Sequence, residues 1–386
     1  DNPVRISFQT RLNKGWFTCP LIDIFIKGTE EPEKYVLLHG HLDSWHVGIG
    51  DNATGNAALM EMARIFHKHR NKLKRSLRIA IWPGHSTGRY AGSTWFADTF
   101  ALDLEENCIA QVNCDSPGCR WATSYEYMMW MSETEEFCQK AIMDSIGEKS
   151  AGTRPLRAGD YSFNNIGISS FFMLSSSIPE DVLKEKGYYP VGGCGANIEW
   201  HTEDDLMHVA DLDILVKDIK VYITSVMRTI NEKLHPFNFV RTAEEFIETI
   251  QNYQQNAGNS FDFSEAVQEA EALRSELKQF YESAESLTDL PIDDENVKLF
   301  NEKVLRLARI LVPINYSRKG KFRHDPALSV PPLPDIAPAG ELKHLDKESH
   351  RYKVLITHLR RGTNRLVWAL REARQLLQPN KSSLGI

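Results

Sequence analysis

Tyr35-Val36-Leu37-Leu38-His39-Gly40-His41-Leu42-Asp43 runs an apolar stretch straight into an imidazole and a carboxylate. Two later stretches repeat the pattern. Leu77-Arg78-Ile79-Ala80-Ile81-Trp82 leads to His85, and Ile109-Ala110-Gln111-Val112 leads to Asp115. Short apolar runs that alternate with helical stretches read as buried strands of a parallel α/β sheet. In such open sheets ligands bind outside the carboxyl ends of the strands. His41, His85 and Asp115 fall at those ends, and Asp51 and His201 complete a set of imidazoles and carboxylates. That set has the composition of a divalent-metal site.

The rest of the chain extends this reading. Asn52 to His69 is a predicted helix, with Leu59, Met60, Ala63 and Phe66 at helical spacing. Ile168 to Leu174 supplies another buried strand. Asp211 to Leu234 is a closing helix that turns Ile214, Leu215, Ile219, Tyr222 and Val226 inward. After Leu234-His235-Pro236 strand signals give way to amphipathic helices at about 240–256, 261–287, 293–311 and 347–378. A Pro-rich stretch, Val330 to Pro338, interrupts them. The predicted organisation is an α/β domain over 1–234 and an all-helical domain over 235–386.

Composition narrows the function classes. Hydrophobic residues at 42% and charged residues at 25% are ordinary for a soluble globular protein. A net charge of -7 without a long basic stretch argues against a nucleic-acid partner. No apolar run reaches membrane-spanning length. The six cysteines form no CxxC pair and no disulfide-framework spacing, so they read as reduced thiols, which leans towards the cytoplasm. Asp1 in place of Met suggests a trimmed or separately numbered start.

Taken singly, each candidate has an ordinary structural reading. His41 can be a structural imidazole at a strand end, and Asp51 an N-cap ahead of Asn52-Ala53-Thr54-Gly55. Asp115 can be a turn residue before Pro117-Gly118. Glu199-Trp200-His201-Thr202-Glu203-Asp204-Asp205 can be a solvated acidic loop. Asp43 can orient either His41 or its loop, because a ligating His commonly hands its second nitrogen to an acceptor. Their joint placement after successive strands lifts the metal reading above these alternatives.

Gly40-His41-Leu42-Asp43-Ser44-Trp45, Gly50-Asp51-Asn52-Ala53-Thr54-Gly55, Gly92-Ser93-Thr94-Trp95, Asn113-Cys114-Asp115-Ser116 and Trp200-His201-Thr202 resemble, in order and spacing, the co-catalytic zinc exopeptidases. That family includes bacterial leucyl aminopeptidases, glutamate carboxypeptidase II and the transferrin receptor. The resemblance covers nearly the whole chain. It implies a mixed, mainly parallel sheet flanked by helices, with a dimerisation-like helical domain that supports a homodimer or hetero-oligomer. It also implies that residues 1 to 25 resemble the strand that re-enters the catalytic domain after an apical insert. By resemblance His41 and Asp115 hold one metal, Asp51 bridges to a second, His201 binds that second ion, and Asp43 is the orienting carboxylate.

The chain departs from the pattern at one point. Two adjacent glutamates normally follow the third strand, one as general base and one as ligand. His85 and Ser86 stand there instead. His85 is read as a catalytic base or, ahead of that, as a ligand replacing the lost carboxylate. Ser86 is a poor substitute opposite a dication. With Asp51 and Asp115 as the remaining carboxylate ligands, one tightly bound ion, zinc before other metals, is expected over two. His46 is a further imidazole on the loop between two ligands. Asp160, Glu199 and His46 are the candidates for contact with substrate, and Arg154 and Arg157 can meet an acidic one. The expected function is metal-dependent hydrolysis of a peptide or amide C–N bond at an atypical site. The alternatives are a non-catalytic binding or scaffold relative, or non-hydrolytic metal-assisted chemistry.

Overall fold

The computed structural model describes residues 4–13, 15–156, 159–172 and 175–378. Its first half is a sheet with helices on both faces. In chain order it comprises β1 (Ile22–Ile26), β2 (Glu31–His41), α1 (Thr54–Lys68), β3 (Arg75–Trp82), α2 (Ala91–Thr99), α3 (Ala101–Asn107), β4 (Cys108–Asn113), β5 (Met128–Met129), α4 (Glu135–Ile146), β6 (Gly152–Thr153), β7 (Ser169–Phe171), α5 (Glu180–Lys186) and α6 (Leu212–Asn231). The main sheet has the order β1-β3-β2-β4-β7; β5 and β6 form a separate parallel pair. Only β1 runs antiparallel, so the sheet is mixed but mainly parallel, as expected.

The strands are near-continuous apolar runs because both faces are covered. Successive side chains point to opposite faces. Val36 and Leu38 therefore join Leu59, Met62 and Phe66 of α1 and Tyr222 and Val226 of α6. Tyr35 and Leu37 join Phe96 of α2, Leu104 of α3, Phe163 and Ile168 on the other side. Met60, expected inward, is 69% exposed, because the stripe of α1 that meets the sheet runs through Ala58, Leu59, Met62 and Phe66. Residues 4–13 and 15–21 carry no regular structure, and strand pairing begins only at Ile22. The expected strand over 1–25 is thus confined to its end, since no neighbouring strand pairs with the residues before Ile22 among those described. Of the run Ile168–Leu174, the ladder takes Ser169–Phe171, and residues 173 and 174 lie outside the described residues.

Helices dominate the remainder: α7 (Phe239–Ala257), α8 (Ser264–Ser283), α9 (Glu295–Tyr316) and α10 (His350–Leu377). Side-chain caps mark several starts. Asn238, Asp294 and Ser349 each accept a backbone N–H of the helix that follows, as Asp211 does for α6. Phe280 and Phe300 stack at 4.6 Å between α8 and α9, and Arg374 of α10 pairs with Glu269 and Glu276 of α8. No helix among the described residues is long and apolar enough to cross a membrane.

These helices grip the sheet. The buried Arg309 of α9 donates to the carbonyls of Leu104, Glu105, Cys108 and Gly167, at and around the start of β4. Phe237 meets Phe137 of α4 edge to face at 6.0 Å. Glu133, just before α4, accepts hydroxyls from Ser169 of β7 and Thr242 of α7.

Candidate metal centre

Parallel register brings the chemistry together. His41 pairs with Trp82, and His39 pairs with Asn113. The loops that leave β2, β3 and β4 therefore emerge side by side and carry His41, His85 and Asp115 to one edge of the sheet. Donor atoms of these three residues all lie within 4.8 Å of one another.

His41 is the hub. Its Nε2 lies 2.9 Å from Asp51 Oδ1 and 3.5 Å from Asp115 Oδ2, yet it is buried and aligned for a hydrogen bond to neither. Its Nδ1 lies 2.8 Å from the backbone carbonyl of Asp43, which directs Nε2 at the carboxylates. A buried ring nitrogen aimed between two carboxylates, with a second imidazole beside it, fits a divalent cation. Zinc suits the mixture of imidazole and carboxylate donors.

Asp51 does not cap α1, whose N-cap is Ala53 and which has no side-chain cap. Its carboxylate is turned across the site instead. Oδ1 faces His41, while Oδ2 meets His201 Nε2 at 2.9 Å and accepts the Trp200 indole N–H at 3.0 Å. The backbone that carries it is fixed from two sides. Asp205 accepts the N–H groups of Gly50 and Asp51, at 2.7 and 3.0 Å. Asn52, joined to Asp51 by a cis peptide, donates to Cys114 O and accepts from Ser116 N, tying this turn to the one that holds Asp115. A Cβ on Gly55 would fall 2.0 Å from the Asn52 side chain, so glycine is required for that fit.

The Asp43 carboxylate organises the loop after β3. Oδ1 accepts from His85 N–H, and Oδ2 accepts from the N–H groups of Ser86 and Thr87 and from the Thr87 hydroxyl, all at 2.9 to 3.0 Å. The His85 ring is thereby held parallel to His41, with centroids 4.1 Å apart, and edge-on to Tyr90. Between loop and ligand, the alternatives open in the sequence, the carboxylate serves the loop. Its nearest approach to His41 Nδ1 is 3.9 Å. The Ser86 hydroxyl is buried and has no hydrogen-bond partner.

Charge follows from this geometry. Burial pulls the His41 imidazole down, but Asp115 and Asp51 outweigh it and hold its pKa well above the usual value. Burial pushes the Asp51 carboxyl up, but His201 and His41 hold it well below the ordinary range. Asp43 is likewise lowered, because the N–H groups of Thr87 and His85 overcome its burial. His85 is lowered to about 4, first by burial and then by the charge on His41, so its ring is neutral at neutral pH with a lone pair free.

The structure does not gather every candidate. His46 is exposed on the loop between His41 and Asp51 and stands outside the cluster. The side chain of Asp160 and all of Arg157 lie outside the described residues. Arg154 is committed to Glu245 and Asn315 at the junction with the helices. Glu199 has one carboxylate oxygen 3.7 Å from His208 and the other buried without a partner. Asp205, Trp200 and Asn52 escaped the sequence reading as functional positions. Only their neighbours in the Glu199–Asp205 and Asp51–Gly55 motifs pointed to them.

A family model described as peptidase family M28 matches residues 24–226. Among curated proteins, a probable glutamate carboxypeptidase VP8 from Zea mays is 32% identical over 116 residues, 29% of this chain and 16% of its own. Aminopeptidase NAALADL1 from Mus musculus is 35% identical over 116 residues, 29% of this chain and 15% of its own. The chain thus aligns with less than a fifth of the length of these relatives. Among solved structures, a zinc aminopeptidase from Bacillus subtilis superposes with a TM-score of 0.46 at 19% identity, over 55% of this chain and 50% of that one.

Proposed function

The chain belongs to peptidase family M28, and on that premise we propose that it is a metal-dependent hydrolase of a peptide or amide C–N bond with an atypical metal site. The observation that carries this reading is the buried Nε2 of His41, aimed between the carboxylates of Asp51 and Asp115 with the His85 ring beside it. His41, His85 and Asp115 would hold a single zinc ion, with Asp51 facing His41 beside them. Two imidazoles and a carboxylate with room for one more ligand is the composition of catalytic rather than structural zinc. Bound there, the ion supplies a Lewis acid for an amide carbonyl and makes water more acidic.

The chain's own residues perform the rest. His85 replaces a carboxylate as ligand, because a neutral ring beside His41 has its lone pair available. A second ion is disfavoured at the outer side of Asp51. There the Trp200 indole N–H already occupies Oδ2, and Ser86 offers a neutral hydroxyl where family members have a carboxylate. Asp43 holds the His85 loop, and Asp205 holds Asp51.

Substrate enters through an adjoining cavity of about 590 Å³ that reaches Ser116, the residue after Asp115. Tyr127, Met129, Leu156, Ile178, Tyr188 and Val191 line it, which suits an apolar side chain of a peptide. Metal analysis of protein purified without added ions, paired with an assay on aminoacyl and peptidyl amides, tests the reading. One equivalent of zinc, and turnover abolished by chelator and restored by zinc, is expected. Two full equivalents overturn the single-ion site. A zinc-loaded protein inert on every amide favours the non-catalytic alternative that the missing glutamates raise.

A further inference from the structure

Behind the metal ligands lies a feature that the hydrolase reading does not use. Cys119 follows Asp115 by one short turn, and Cys194 sits in the loop that leads to Trp200 and His201. Far apart in sequence, the two are brought together by the fold. Both are fully buried and free, packed with Ala122, Val209 and Trp200 in a small cluster of their own. The residue after Cys194 closes on the same spot, since a Cβ placed on Gly195 would fall 3.1 Å from Cys119 Cβ.

Each thiol also touches the scaffold of the site. Cys119 Sγ donates to Ser116 O at 3.4 Å, and Cys194 Sγ donates to Asp205 Oδ2 at 3.6 Å. Asp205 is the carboxylate that fixes Gly50 and Asp51. The loop around Cys194 is under strain, with left-handed φ at Cys194 (49°) and Ala196 (73°), where side chains are disfavoured. Ser116, Gly193 and Gly195, the neighbours of these thiols, line the apolar cavity, which brings a small oxidant to within a residue of the pair.

We propose that Cys119 and Cys194 are an oxidation site, converted by a two-electron oxidant of the peroxide class into a disulfide that ties the Asp115 turn to the His201 loop. One thiol sulfur attacks a peroxide oxygen, the O–O bond breaks, and a sulfenic acid and one water result. The second thiol sulfur attacks the sulfenic sulfur, the S–S bond forms, and the hydroxyl leaves as a second water. Both thiol protons end in water, and the two electrons lost by sulfur reduce the peroxide. The product removes the thiol donor from Asp205 and couples the two ligand loops covalently. This inference holds whether or not the protein is a hydrolase, because it concerns the placement of two thiols alone.

The test exposes the whole folded chain to hydrogen peroxide, in wild type and in a Cys19→Ser background that removes the exposed thiol. Thiols are counted after denaturation, and peptides are mapped by mass spectrometry. The expected result is the loss of two thiols per chain, a linked Cys119–Cys194 peptide two hydrogens lighter, and full recovery with dithiothreitol. Cys119→Ser and Cys194→Ser should each abolish the linked peptide. Because the wild-type map needs neither variant, a folding defect in one does not decide the matter. Peptides that keep both thiols while other cysteines oxidise overturn the proposal. Single-residue sulfinic acid at either position without a cross-link does so too.

Discussion

Glu133→Gln should remove a loss of stability that the wild-type chain undergoes as pH rises towards neutrality. Glu133 is buried, with Oε1 accepting the Ser169 hydroxyl at 2.7 Å and Oε2 accepting the Thr242 hydroxyl at 3.2 Å. Burial raises its pKa from 4.5 to about 7, against the pull of the Ser169 hydroxyl. Between those values the folded chain keeps a proton that the unfolded chain has lost. The group's contribution is therefore whole below pH 4.5 and is lost as pH rises through about 7. At roughly 1.4 kcal/mol per pH unit, the gap corresponds to about 3 kcal/mol. Glutamine keeps an acceptor for Ser169 and cannot titrate. Urea unfolding of both proteins in the same metal state, at about pH 5 and about pH 8, reads the effect. The stability of wild type relative to variant should fall by roughly 2 to 3 kcal/mol between the two conditions. A difference that stays flat would refute the idea that Glu133 is held protonated where β7 meets α7.

Three further outcomes bear on the site. His85→Ala should weaken cation binding by roughly tenfold or more, measured by competition with a chelating dye; unchanged affinity removes His85 from the ligand set. Asp43→Asn keeps shape but loses the charge that collects three N–H groups, so affinity should drop roughly 10- to 100-fold with the fold intact by circular dichroism. If the cavity takes an apolar side chain, burying it is worth about 1.5 to 3 kcal/mol, and kcat/KM for a leucyl amide should exceed that for a glycyl amide roughly 10- to 100-fold. Equal values would place the side chain elsewhere.

Much of this was legible in the chain because double-sided burial leaves unbroken apolar runs. β2, β3 and β4 announce themselves that way, and each points at the next polar residue. Helix ends were read to within a few residues, but the phase of α1 was not. Spacing admits Met60 and Met62 alike, and only the position of the sheet selects Met62. Asp51 shows a second kind of limit. A carboxylate ahead of a helix is locally indistinguishable from a cap, and the choice is made by His41 and His201, both remote in sequence. Of the adjacent acids Glu203, Asp204 and Asp205, only Asp205 turns inward, and nothing in their composition marks it. The placement of the Trp200 indole and the nearness of Cys119 to Cys194 are likewise products of loops folding back on the sheet, which periodicity does not describe.

Arg309 makes the helices more than an appendage. Its guanidinium is buried, with burial drawing its pKa down to about 10, and it is spent on four main-chain carbonyls where β4 begins. The far end of that strand carries Asp115. A chain severed near residue 234 would strip these carbonyls of their donor and loosen the footing of a ligand.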